Sequence, residues 1–255
     1  MPRVNWTRDQ LLIAFNLYCR IPFGRMHGRN PQIIEFANLI GRTPDALAMK
    51  LCNIASLDPA EQARDVSGLK GASNLDRAIW REFHENWESL AFESEEAKVR
   101  LSSMITHPSE VIHESPSDAT ESIRETRVRL VQRFFRQAVL SSYESRCAVC
   151  QIAERRLLIA SHIIPWRDND KRRADPSNGL SLCSLHDRAF DQGLISVDES
   201  LRLLVSPRLK CKNAVPVHRE AFLNLEGQAL HRPCRFDPDP TALEYHRSKV
   251  FEQQL

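Results

Sequence analysis

Apolar residues recur at helical spacing through the first third of the chain. Leu11, Leu12, Phe15 and Tyr18 follow Thr7, whose hydroxyl suits a helix N-cap, so the pattern predicts a helix from Thr7 to about Tyr18. Ile33, Ile34, Phe36, Ala37 and Ile40 predict a second helix over 31–40, which Gly41 can end. Thr43 as cap and Pro44 at the first helical position open a third, carried on by ALAMKLCNIA. Ile79, Trp80, Phe83 and Trp87 predict one further helix over 75–92.

Between 93 and about 121 aromatic residues vanish except at the edge, and Ser, Glu and Pro dominate. This reads as a linker, part helical and part mobile. Helical spacing returns over 123–143 with Val128, Val131, Phe134, Phe135, Ala138, Val139 and Tyr143, while Arg127, Arg129, Arg133 and Arg136 fill other positions. The pattern then changes character. LLIASHIIPW reads as a strand entering a turn, and GLISVDESLRLLVSP as two strands around Asp198–Ser200. TALEYHRSKVF predicts a closing helix that packs on the second domain. Three segments result: a helical domain over 1–92, a linker over 93–122 and a second domain over 123–255.

Composition narrows the class. The chain has 255 residues, 42% hydrophobic and 27% charged, which is ordinary for a globular protein with room for about two domains. No apolar run approaches the roughly 18 residues that span a bilayer, and MPRVNWTRDQ is too polar for a signal peptide. No membrane association and a cytoplasmic location are therefore expected. Net charge is only +2, but its distribution is uneven: residues 1–50 hold seven Lys/Arg against three Asp/Glu, and 93–125 hold eight acidic against three basic. Two basic lobes around an acidic connector fit nucleic-acid-facing surfaces, or plain solvated faces. The 31–55 pair, joined through GRT, has the outline of a helix-turn-helix, with Arg42 as a candidate DNA contact and simple packing as the alternative.

Chemistry concentrates in residues 147–191. Cys147 and Cys150 form C-x2-C, and Cys183 and His186 form C-x2-H. Thiolates and imidazole in such pairs suit tetrahedral Zn2+, and four protein ligands make a closed, structural site that replaces core in a small domain. His186 stands open to a second assignment, as ligand of a different, catalytic ion. Cys19, Cys52, Cys211 and Cys234 are isolated and read as small hydrophobes.

The run CAVC…ASHIIPW…NGLSLCSLHDRAFDQGL resembles the HNH endonucleases, and more narrowly the bacterial restriction-type proteins carrying SHI-x-PW and NGL…HDxxFDxGL. The resemblance is specific over about 143–197 and hardly touches the first domain. It implies a ββα-metal nuclease domain with structural zinc; with the mainly helical, helix-turn-helix-like N-terminal domain that the apolar spacing predicts, the expected class is α+β. It implies metal-dependent hydrolysis of double-stranded DNA, restriction-like, leaving 5′-phosphate and 3′-hydroxyl ends. His162 matches the general base and Asn178 the asparagine that braces its loop. Asp187 matches a ligand of the catalytic ion. Asp191 lies one helical turn on and either joins Asp187 around Mg2+ or Mn2+, or serves as a cap or arginine partner. The sequence departs from the wider family at Ser161, where many members place an aspartate or histidine ligand; the narrower group shares the serine.

Arg167, Lys171, Arg172 and Arg173 are candidate phosphate contacts, with solvated loop residues as the alternative, and Trp166 either lines the groove or packs inside. A double-strand cutter with one site per chain calls for a homodimer. A zinc-stabilised DNA-binding protein without activity is the competing reading. A zinc deaminase is set aside, because Arg146 stands where its motif has proline before the first cysteine.

Overall fold

In the computed structural model, residues 5–63, 71–106, 119–211 and 213–252 are described. They divide into two compact units, Met1–Gln137 and Ala138–Leu255.

The first unit is built of helices: α1 (Arg8–Tyr18), α2 (Pro31–Leu39), α3 (Pro44–Ala55), the short α4 (Pro59–Ala63), α5 (Asn74–Glu85), α6 (Trp87–Thr106) and most of α7 (Ala119–Ser142). The expected caps hold. Thr7 forms a capping box with Gln10, Thr43 accepts the Ala46 amide, and Gly41 takes a positive φ after α2. From Leu11 to Tyr18 every residue of α1 is buried, so the other helices wrap around it. Phe15 stacks on Phe83 with ring centroids 4.0 Å apart, and Trp80 and Trp87 close around that pair.

Two boundaries differ from the sequence reading. The single helix expected over 75–92 breaks at Asn86, whose extended backbone ends α5 and whose Oδ1 accepts the Ser89 amide, capping α6. α6 then runs to Thr106, through residues placed in the linker. Their polar composition was misleading because two of the polar residues, Ser94 and Glu95, are buried and partnered. Asn16 donates to Ser94 Oγ (2.7 Å) and Glu95 Oε1 (3.0 Å), and Glu95 pairs with the buried Arg20. Linker residues 107–118 lie outside the described residues. The division between units falls inside α7 instead of at its start.

The second unit contains β1 (Leu158–His162) and β2 (Gly179–Cys183), paired antiparallel with His162 opposite Gly179 and Leu158 opposite Cys183. α8 (Ser184–Asp191) follows β2 directly, giving a ββα unit. A hairpin of β3 (Ile195–Val197) and β4 (Leu203–Val205) comes next, turning at Asp198, whose carboxylate accepts the Ser200 and Arg202 amides. α9 (Pro216–Ala221) and α10 (Pro240–Lys249) complete it. α10 packs as the sequence predicts: the buried His246 ring stacks on Phe190 of α8 at 3.6 Å and binds Ser196 Oγ of β3 at 2.9 Å. Burial holds this histidine down at about 4, so it is neutral packing.

α8 ends at Gly193, which has φ +68° and receives the Glu252 amide on its carbonyl. A Cβ here would overlap the carbonyl oxygen of Val250. Gly193→Ala is expected to cost about 2–4 kcal/mol, combining left-handed strain with that overlap. A fall in thermal midpoint measures it.

Candidate active site and metal centre

The metal centre is assembled by two turns. At the first, Cys147 N–H donates to Ile152 O and Gln151 N–H to Cys147 O, folding the C-x2-C segment back on itself. The second is the β2–α8 junction, where Cys183 is the helix N-cap and His186 sits in the first turn. One ligand atom from each of Cys147, Cys150, Cys183 and His186 lies within 4.8 Å of all the others. Cys150 and Cys183 sulfurs are 3.8 Å apart, and His186 Nδ1 lies 3.2 Å from Cys183 Sγ and 3.6 Å from Cys147 Sγ. Zn–S bonds of about 2.3 Å and Zn–N bonds of about 2.0 Å give tetrahedron edges close to these values. His186 Nε2 meets the Ala221 carbonyl at 2.8 Å, which fixes the proton there and leaves Nδ1 to ligate. The four residues therefore could hold a metal such as zinc, and His186 is grouped with the cysteines, not with the carboxylates.

A separate cleft of about 410 Å³ gathers Ser161, His162, Trp166, Arg167, Asp187 and Asp191 along its wall. Register explains the gathering. His162 ends β1, Asn178 immediately precedes its partner Gly179, and α8 lies against both strands. Asn178 is buried and braces the loop after β1: its carbonyl accepts Ile163 N–H (2.9 Å), its Oδ1 accepts Ile164 N–H (2.9 Å), and its Nδ2 donates to Ile164 O and Arg172 O (3.2 Å each). His162 Nε2–H donates to the Arg173 carbonyl at 3.0 Å, which makes Nδ1 the basic nitrogen. Burial holds this imidazole below its ordinary value, so it is neutral at neutral pH.

Asp187 and Asp191 are both pushed above the usual carboxylate range. For Asp187 the causes are burial and then the Asp191 charge; for Asp191, which is more open, desolvation acts against the neighbouring Arg188. The Ser161 hydroxyl, buried in β1, draws Asp187 down without reaching hydrogen-bond geometry. Two carboxylates raised by desolvation, one of them also by the other's charge, are what a hard divalent cation would relieve.

The basic candidates separate into two sets. Arg167 and Lys171 are exposed. Arg172 is committed to Asp175 (3.0 Å) and Asp239 (3.3 Å), and Arg173 to the Trp166 carbonyl (2.9 Å) and the Trp166 ring. An irregular loop supplies few backbone partners, so these side chains hold it together. In the first unit Arg42 is likewise engaged, donating to Asn5 O (2.6 Å) and Gln10 Oε1 (2.9 Å) and lying over the Trp6 ring. All three arginines thus have protein partners in this structure. Arg188, next to Asp187 on α8 and not singled out from the sequence, is exposed on the cleft wall.

Residues 147–198 match the model of a family described as HNH endonuclease. Among solved structures, a modification-dependent restriction endonuclease, TagI, is similar over 48% of this chain and 39% of its own, at 21% identity and a TM-score of 0.33. The chain thus spans about two fifths of that protein's length. No curated protein matches.

Proposed function

The chain carries an HNH endonuclease domain at residues 147–198, and on that premise we propose that it is a metal-dependent DNA endonuclease with His162 as general base. The observation that carries the reading is the single cleft in which His162, Asp187 and Asp191 converge, inside the matched segment. His162 Nδ1 takes the proton from the attacking water, while the Arg173 carbonyl stabilises the imidazolium through Nε2–H. Asn178 keeps that loop in register. Asp187 and Asp191 would hold Mg2+ or Mn2+, and such an ion would supply charge neutralisation at the phosphate. Arg167, Lys171 and Arg188 offer positive charge to the flanking phosphates. Cys147, Cys150, Cys183 and His186 hold structural Zn2+.

A restriction-like role on double-stranded DNA follows from the motif resemblance, and cutting both strands calls for a second copy of the chain. Among the described residues no helix is long and apolar enough to cross a membrane.

Plasmid cleavage by the purified protein with Mg2+, Mn2+ or EDTA, on unmodified and modified-base DNA, tests the reading. Binding without cleavage under every condition would favour the zinc-stabilised DNA-binding protein instead. Asp187→Asn is expected to lower the Mg2+-dependent rate about 100-fold or more, since a neutral amide is a far weaker ligand. The same change should leave DNA affinity without metal equal or tighter, because it removes a negative charge facing phosphate. Single-turnover cleavage and a metal-free binding titration check both signs.

A further inference from the structure

Arg173 is tied to the general base at both ends. Its backbone carbonyl accepts His162 Nε2–H at 3.0 Å. Its side-chain Nε–H donates to Trp166 O at 2.9 Å, and its guanidinium carbon lies 5.1 Å from the centre of the Trp166 ring. The Trp166 ring in turn meets His162 edge-on, with centroids 5.5 Å apart and planes at 86°. The loop thereby closes on itself around the imidazole. Asn178 Nδ2 pins the preceding carbonyl, that of Arg172, at 3.2 Å. Two successive carbonyls are held, one by Asn178 and the other through the arginine's own side chain.

We propose that Arg173 is a positioning residue for His162: its side chain, gripping Trp166, fixes the carbonyl that keeps the imidazole in its Nε2–H tautomer and aims Nδ1 into the cleft. This rests on the reading of His162 as general base. The charge of Arg173 invites a different role, that of a phosphate contact. Its partial burial and its bond to the Trp166 carbonyl argue against that role. A carbonyl freed from this grip could turn with its peptide, and the ring would then populate both tautomers. Only one of them presents a basic nitrogen to water bound in the cleft.

The test compares wild type, Arg173→Ala and Arg173→Lys in the full chain loaded with zinc. Lysine keeps a cation but lacks the Nε–H at the right distance along the side chain. Three quantities are read: the His162 tautomer from long-range 1H–15N spectra, the single-turnover cleavage rate, and DNA affinity against salt with Ca2+ in place of Mg2+. The expected result is a rate lower by about 10–100-fold in both variants, with affinity and its salt slope within about twofold of wild type. The tautomer signal should move from Nε2–H toward a mixture.

The opposite pattern overturns the proposal: an unchanged tautomer and rate, with weaker binding and a salt slope reduced by about one in Arg173→Ala and restored in Arg173→Lys. If Arg173→Ala loses its zinc or its cooperative melt, Arg173→Lys decides alone. If wild type cleaves no DNA, the nuclease reading fails, while the tautomer spectra still decide what Arg173 does to His162.

Discussion

His162→Ala should lower metal-dependent DNA cleavage by about a thousandfold, within the range by which a positioned general base accelerates a reaction. Alanine keeps the strand and removes only the imidazole. The neighbouring loop remains held by Asn178, whose amide binds Ile164 at both its N–H and its carbonyl. Protein fold, zinc content and DNA affinity should therefore stay close to wild type, and the loss should fall on the rate constant of single-turnover cleavage. The pH dependence has a defined sign. A base works in its neutral form, and burial holds His162 below the ordinary imidazole value. Activity should therefore persist further into the acid range than a solvent-exposed histidine would allow. The raised carboxyls of Asp187 and Asp191 work in the opposite direction, since both must ionise to hold a cation. In His162→Ala the limb due to imidazole should vanish and the carboxylate limb should remain. If the variant cleaves at the wild-type rate with Mg2+, His162 is not the base.

The ligand quartet was legible in the sequence because its signal is local: two short pairs, each confined to one turn. His162 and Asn178 were singled out by motif resemblance, and the pairing of His162 with Gly179 sets them side by side. The caps at Thr7 and Thr43 are equally local and stand where composition placed them. What the sequence left open was which partner each charge takes. Glu95 looks like linker composition until Arg20 and Asn16, far earlier in the chain, are known to meet it. Arg42, Arg172 and Arg173 look like a basic surface until Asn5, Asp239 and Trp166 appear beside them. A charge in a sequence shows that a partner is needed and leaves the choice between phosphate, water and protein open. In this chain the loop claims two of the three consecutive basic residues at 171–173 and leaves Lys171 exposed.

Removing zinc should unfold the second unit. Among its described residues the regular structure is slight, two pairs of short strands and three α-helices besides the end of α7, and the first pair is joined at one end to the metal ligands. Cys147, Cys183 and His186 are buried, so without a cation three polarisable donors would crowd one another with little water to separate them. Structural zinc contributes on the order of 10–16 kcal/mol in small domains, comparable to or larger than the roughly 5–15 kcal/mol of a whole fold. Cys183→Ser is the sharpest version, because this residue is at once ligand, end of β2 and N-cap of α8. It should reduce bound zinc from one per chain toward none and abolish cleavage, by loosening β1 and β2 and with them the register that sets His162 beside Asn178. A strong chelator should do the same to wild type. Adding back Mg2+ alone should restore nothing, and adding Zn2+ before Mg2+ should restore both the near-ultraviolet signal and the activity. That order dependence separates the two metal roles. If Mg2+ alone revived the chelated protein, the cysteines would not be holding a structural ion, and the stability of the ββα unit would have to come from its packing on α10.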